Sequence, residues 1–333
     1  MNEREIQNRA YGCFMGQLIG DALGSQVEGW TSREIMSYYG PQGCNIMEDG
    51  GTWGTAAGQP TDDSEMALTL ARCIIREGFY HPLIVLHNYG KWLNSDPFDV
   101  GSTVYAGLKG NHRLDSKSNG ATMRISPLGI IGVNYTDRQL INMAKHETWL
   151  THRNRVCMDV NNLFVPAITS AILGRSSWTI HDSMVYDCHR LNICEEVVDC
   201  VERSRTFPPK DYISNQGYVL VAFGNALHHM LHANSFYDAM ISTIEYGGDT
   251  DTNAAICGAL VGAVHGYNFI PDQWKKTVLN CKPDSYKGRA QQPRPREYWP
   301  CDALEIVDAL LKVGKTKDWI ELQNLEEYEQ WSN

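Results

Sequence analysis

The sequence predicts an all-α fold. Apolar residues recur at helical spacing in one segment after another, whereas the strict alternation of a half-buried strand is scarce. The chain is 333 residues long, 43% apolar and 20% charged, a balance that suits a globular core and argues against disorder. No shift in composition divides it. We therefore read one compact multi-helix domain over residues 1–333, with its core over about residues 6–280.

The first helix covers residues 6–27, with Ala10, Phe14, Leu18 and Ala22 at helical spacing. Gly12, Gly16, Gly20 and Gly24 recur every fourth residue and form a bare stripe, where another helix or a ligand can approach closely. Mid-helix glycine costs about 1 kcal/mol against alanine, so the repeated choice needs a packing reason. Asp21 and Glu28 lie at the C-terminal end of this stretch. Residues 40–60 are glycine-rich and read as a loop. A helix starts at Thr61-Asp62-Asp63-Ser64-Glu65, where Asp62 with Glu65 three residues on resembles a capping box. Residues 82–93 form another helix, 96–103 turn into a further one, and 110–120 are polar loop. Helices then follow over 137–149, 159–173 (interrupted near Pro166), 180–186, 195–203, 218–231, 236–246, 249–267 and 272–278. Residues 282–300, rich in Pro, Arg and Gln, read as a surface loop crossing the body. A last helix covers 301–311.

The net charge of -10 disfavours a nucleic-acid backbone as the main partner. The start of the chain has no apolar signal region, and the longest apolar runs are too short to span a bilayer. Ten cysteines contain no C-x-x-C pair and several fall inside apolar helical patterns, which favours free buried thiols in a reducing compartment. A cytoplasmic monomer is the expectation.

Two helix starts carry the chemistry. Thr61/Asp62/Asp63 and Asp249/Asp251/Thr252 are each a threonine–carboxylate cluster, the second behind Gly247-Gly248, which permit a tight turn close to a ligand. Simple capping uses the same residue types. Adjacent Asp-Asp and Asp-x-Asp-Thr exceed what a cap needs, and the helix after Asp249 is apolar on nearly every side, so it is buried. Carboxylates at its mouth are costly unless paired or bound to metal. If the two starts meet, their mutual repulsion calls for cations, and all-oxygen ligation suits Mg²⁺, Mn²⁺ or Ca²⁺ rather than zinc. Two such ions could clamp vicinal hydroxyls or phosphate oxygens. His228 and His232 share a helix face as zinc ligands can, but no third ligand is apparent and a helix-surface cluster is the simpler account. Trp149 and Trp178 read as core, and Arg289, Arg294 and Arg296 as a solvated basic loop.

These blocks, with several others, resemble the ADP-ribosylglycohydrolase family, most nearly its bacterial dinitrogenase-reductase-activating branch. The others are Gly12-x-x-x-Gly16-x-x-x-Gly20-Asp21-Ala22-x-Gly24, Asp99-Val100-Gly101-Ser102-Thr103 (Ser102 where the family usually has Asn), Asn119-Gly120-Ala121-x-Met123-Arg124, Thr151-His152 and Gly217-Tyr218-Val219. They run in family order from about Gly12 to about Pro271; the tail after Cys281 has no counterpart that we can place.

The resemblance implies an orthogonally packed all-α fold, a centre of two Mg²⁺ or Mn²⁺ ions, and hydrolysis of the bond joining ADP-ribose to a modified protein side chain, arginine favoured. Thr61, Asp62, Asp63 and Asp251 would hold one ion and Asp249, Asp251 and Thr252 the other, with Asp251 bridging. Asp99 is the first candidate for general acid/base and Glu28 the second; plain readings make Asp99 a helix cap and Glu28 a solvated loop residue. On the substrate side, Ser102 and the Gly120–Ala121 backbone would approach the distal ribose and diphosphate, with Asn119 and Met123 in the same substrate set, Tyr218 would stack on adenine or ribose, and His152 would bond a phosphate. Tyr218 as plain core and His152 as a turn residue are the alternatives. Two rival functions are a non-catalytic ADP-ribose-binding or crystallin-like relative, against which both acidic motifs stand intact, and a two-metal phosphoesterase, which the acidic pairing fits and the ribose-side block does not.

Overall fold

The computed structural model describes residues 2–284 and 291–314. Fifteen α-helices make up its regular structure, with three isolated β-bridges and no strand among the described residues, as the all-α reading requires. The helices are α1 (Glu3–Gly24), α2 (Ser32–Tyr39), α3 (Asp62–Glu77), α4 (Pro82–Leu93), α5 (Ser102–Leu108), α6 (Ser126–Ile131), α7 (Asp137–Trp149), α8 (Arg155–Ile172), α9 (Ser177–Arg190), α10 (Glu195–Ser204), α11 (Val219–His232), α12 (Phe236–Glu245), α13 (Thr250–His265), α14 (Asp272–Asn280) and α15 (Ala303–Leu310). One connected set of buried apolar side chains runs from α1 to α15.

The glycine stripe of α1 has its packing reason in α13. A Cβ placed on Gly12, Gly16, Gly20 or Gly24 would collide with the backbone carbonyl of Gly262, Gly258, Ala254 or Thr250 respectively. The residue pairing runs in opposite directions, so the two helices are antiparallel and in backbone contact. Thr250 Oγ1 donates to Gly24 O (2.7 Å) and locks the register. The C-terminal end of α1 therefore lies beside the N-terminal end of α13. A second approach, α3 onto α1, brings in the other acidic helix start: Thr61 N and Oγ1 both donate to Asp21 Oδ1 (3.0 and 2.9 Å).

Several expectations need correction. α2 lies in a stretch that carries a legible cap, Thr31 with Glu34, and forms on it. α6 was likewise not read as a helix. α8 starts at Arg155 and continues through Pro166, because buried Leu163, Phe164, Val165, Ala167 and Ile168 hold the turns on either side. α9 is longer than its apolar positions suggest, since Ser176 caps it. No side-chain cap bond forms at the start of α3: Thr61 occupies the cap position, and Glu65 turns instead to Trp92 and Arg294. Trp178 is 44% exposed rather than core, with Arg205 over its ring. Arg294 is buried, not solvated, and Arg289 lies outside the described residues. All ten cysteines are free, seven of them buried.

Candidate active site

The two acidic helix starts meet. Thr252 Oγ1 at the start of α13 donates to Asp63 Oδ2 at the start of α3 (3.3 Å), and Thr61 Oγ1 lies 3.2 Å from the same oxygen. Above them opens a cleft of about 590 Å³. Asp62, Asp249, Asp251 and Thr252 line its floor, and Glu28 and Asp99 its sides. Thr61 and Asp63 sit just beneath, buried.

The turn that delivers Asp249 needs both of its glycines. Gly247 and Gly248 each have φ of 76°, and a Cβ on either would strike the backbone carbonyl of Trp30 or Tyr212. The sequence suggested that this turn approaches a ligand; what it approaches is backbone. Gly248 N donates to Trp30 O and Gly29 N to Gly248 O, both at 2.8 Å. That pairing places Glu28 opposite the turn. One oxygen each of Glu28, Asp249 and Asp251 fall within 4.8 Å of one another.

Packing carboxylates this closely raises their proton affinities. Burial, opposed by the Gly101 N–H and reinforced by Asp21, holds Asp62 at about 7. Asp99 is pushed up to about 10, first by burial and then by the charges of Asp62 and Glu28. Asp63 and Asp251 lie well above the ordinary carboxylate range for the same first reason, with Asp21 next for Asp63 and Glu28 next for Asp251. Glu28 is raised by burial and lowered in part by its bonds to Asp251 and Trp53.

The donor set fits hard divalent cations. It is all oxygen, and Asp63 Oδ1 is buried without a hydrogen-bond partner. An orphaned oxygen on a carboxylate that feels the charges of Asp21, Asp62, Asp249 and Asp99 is costly unless positive charge reaches it.

The opposite wall is built from residues 118–123. Asn119 Nδ2 donates to Asp249 Oδ2 (2.6 Å), tying this wall to the floor. Ser102, Asn119, Gly120 and Met123 line the cleft as expected. Ala121 does not; its side chain is fully buried behind them. His152 also stands behind the wall. Its Nε2 pairs with Ser118 Oγ and its Nδ1 with Thr151 Oγ1, each at 2.8 Å. Burial lowers its pKa to about 3, so it is neutral and has no nitrogen left for a phosphate. Tyr218 faces a neighbouring groove of about 400 Å³ between α10 and α11, and its hydroxyl donates to Glu196 Oε2 (3.0 Å). Neither residue lines the acidic cleft.

The structure also recruits residues that sequence reasoning gave no role. Asp21 accepts from Thr61 and Ser64. Arg124, paired with Glu147 at 2.9 Å in the core, donates to Gly120 O (3.0 Å) and so sets the wall. Asp21 had one legible signal, a carboxylate in the largely apolar and glycine-rich second half of α1. Arg124 had only its place in a motif. His228 and His232 spend one nitrogen each on the carbonyls of Ser204 and Arg205.

An all-α protein that gathers carboxylates and threonines from two helix starts around a wide polar cleft is, as a class, a candidate hard-cation hydrolase. Comparison with known proteins makes the class specific. A sequence model of the ADP-ribosylglycohydrolase family matches residues 2–315, and the chain belongs to that family. It is 29% identical over 285 residues to the ADP-ribosyl-[dinitrogen reductase] glycohydrolase of Rhodospirillum rubrum, covering 82% of this chain and 91% of that protein. It is 24% identical over 295 residues to the ADP-ribosylarginine hydrolase Tri1 of Pseudomonas putida (strain GB-1), covering 84% and 76%. Among solved structures, an ADP-ribosylglycohydrolase-related protein complex shares the fold with a TM-score of 0.75 at 24% identity, over 93% of this chain and 99% of that one. No helix among the described residues is long and apolar enough to cross a membrane.

Proposed function

We propose that this protein is a metal-dependent ADP-ribosyl hydrolase that releases ADP-ribose from a protein side chain, with arginine as the favoured acceptor. The observation that carries the reading is the meeting of Thr61/Asp62/Asp63 with Asp249/Asp251/Thr252 on the floor of one cleft. The ADP-ribosylarginine hydrolases among its relatives support the acceptor, and the ADP-ribosyl-[dinitrogen reductase] glycohydrolase supports a protein substrate.

Thr61, Asp62, Asp63 and Asp251 would hold one Mg²⁺ or Mn²⁺, and Asp249, Asp251 and Thr252 the second. Glu28 belongs with Asp249 and Asp251 by proximity, and we assign it to the ligand set rather than to proton transfer. Bound cations would supply the positive charge that offsets these carboxylates and that vicinal ribose hydroxyls can ligate. Asp99, whose carboxyl burial pushes up in the cation-free protein, is our candidate for the acid. It gives its proton to the leaving nitrogen as the bond to C1″ breaks, and regains one from the water that adds to that carbon. Asn119, Gly120 and Ser102 orient the sugar and diphosphate from the wall.

An arginine-ADP-ribosylated protein carrying labelled ADP-ribose tests this directly. With Mg²⁺ or Mn²⁺ the label should be released, and excess chelator should stop release. Asp62→Ala and Asp249→Ala should each lose about 10²-fold or more in turnover. Full turnover in either variant would remove the metal assignment. Glu28→Gln and Asp99→Asn separate the two proposed roles. The first should weaken cation binding measured by calorimetry, and the second should lower kcat with cation binding intact.

A further inference from the structure

The segment around residue 294 does more than cover the body. Arg294 is 6% exposed. Its Nε and Nη2 donate to the Glu65 carboxylate at 2.8 Å each, its Nη1 to the carbonyls of Ser95 (2.8 Å) and Asp96 (3.1 Å), and its Nη2 also to Ser95 Oγ (2.9 Å). A guanidinium has five N–H donors, and these five acceptors use all of them. Glu65 stands on α3 three residues after Asp62 and is held by Trp92 as well (2.7 Å). Ser95 and Asp96 open the loop that carries Asp99. That loop closes at its other end where Gly101 N donates to Asp62 Oδ2 (3.2 Å).

Two residues earlier the same strap grips the other side of the cleft. Gln59 Nε2 donates to Gln292 O (2.6 Å) and Gln292 Nε2 to Trp53 O (3.2 Å). Trp53 in turn donates its indole N–H to Glu28. The Trp53 and Phe98 rings, with centroids 6.0 Å apart, bring the two loops into contact. The strap is braced behind by Trp299, whose indole donates to Arg294 O (2.7 Å).

We propose that residues 291–294 form a clamp that fixes Asp99 and Glu28 relative to each other, with Arg294 the positioning residue for the Asp99 loop and Gln292, through Trp53, for Glu28. The clamp rests on the reading that both carboxylates serve the hydrolytic cleft. A buried ion pair by itself adds little net stability over an apolar pair of the same shape. A guanidinium whose five donors are divided between the metal-site helix and the Asp99 loop supplies orientation, which lysine, with three donors and no planar fork, does not.

The test is hydrogen exchange and kinetics on the full-length Arg294→Lys protein. The Gly101 amide and its neighbours over 97–101 should exchange about tenfold faster or more, while the amides of the α1–α13 contact keep their protection. Cation and ADP-ribose affinities should stay near wild type, and kcat should fall about tenfold or more with KM little changed. Gln292→Ala should speed exchange over residues 52–54 and weaken cation binding, leaving 97–101 protected; it serves equally if Arg294→Lys does not fold. Wild-type exchange over 97–101 in Arg294→Lys, or over 52–54 in Gln292→Ala, overturns the clamp. Failure of the hydrolase reading looks different: the wild-type protein itself then releases no ADP-ribose, and the exchange comparison still decides whether the strap holds the loops.

Discussion

Asp21 is wholly buried, has no cationic partner among the described residues, and accepts from Thr61 N, Thr61 Oγ1 and Ser64 N. Burial lifts its pKa to about 6 even against those bonds. A hydroxyl has one proton, and Thr61 gives it to Asp21, which leaves the Thr61 lone pairs turned toward Asp63 and the cleft floor. Asp21 is thus suited to orient a ligand it does not accompany to the ion. Partners of this kind typically carry 10–100-fold in metal affinity. Asp21→Asn removes a buried charge but sets an amide donor against the Ser64 N–H, so the cation-free fold should lose about 1–3 kcal/mol while Mn²⁺ affinity falls by roughly 10–100-fold. Calorimetric titration of both proteins reads it directly, and superimposable isotherms would dismiss the role. At this scale the polar residues that line the floor and wall of the cleft were legible, because short polar motifs stand out in the chain. It did not place Tyr218 and His152, because which side of a helix or loop a side chain leaves by depends on what packs behind it. For His152 that is Thr151 and Ser118.

α1 and α13 are the pair of elements on which the site hangs. Their separation is set by glycine on both helices: a Cβ on Gly258 would meet Gly16 O, and one on Gly262 would meet Gly12 O. Gly16→Ala or Gly258→Ala must therefore push two backbones apart, and overpacking of that kind costs about 1–3 kcal/mol or more. Because the helix ends carry Asp21 and Asp251, cation affinity should fall with stability. Gly90 is the control. It lies inside α4 with nothing within 4 Å of its Cβ position, so Gly90→Ala should stabilise by about 0.5–1 kcal/mol. Denaturant midpoints at unchanged slope measure both, and equal effects at Gly16 and Gly90 would break the argument. The four-residue glycine period was visible in the sequence, and so was the need for a close partner. Which helix fills the stripe was not, since α13 lies more than two hundred residues away and nothing local names it. Elements that carry a cap and only one buried apolar side chain to mark them, Ile35 in α2 and Ile180 in the first turn of α9, escaped a reading based on apolar period.

At the scale of the whole molecule, a site built from crowded carboxylates must show itself in how stability depends on pH. Asp62 and Asp99 are raised to about 7 and about 10, and Asp63 and Asp251 well above their usual range, by burial first and by neighbouring carboxylates next, Asp21 and Glu28 among them. In the unfolded chain these groups titrate near pH 4. Between that value and the folded pKa the folded protein holds protons that the unfolded chain has released, so stability falls as pH rises, by about 1.4 kcal/mol per pH unit for each group still protonated. Buried His146, His152 and His229 act in the opposite sense. Burial lowers them to about 4, 3 and 4, so stability rises with pH until the unfolded histidines have lost their protons near 6.5. Above that the carboxylates remain in play, joined above about pH 8.5 by buried thiols such as Cys73 and Cys188, which burial raises to about 11 and which act in the same sense in both series. In chelator, the melting temperature should decline from pH 6.5 to 9.5. Saturating Mn²⁺ should raise it throughout, and by more at the alkaline end, since a cation takes the place of protons there and its binding releases them. Two calorimetric series, one in chelator and one in Mn²⁺, are enough. Parallel curves would mean that the carboxylates at the two helix starts are not answered by a cation, and a widening gap that closes in Asp63→Asn would locate the answer on the cleft floor.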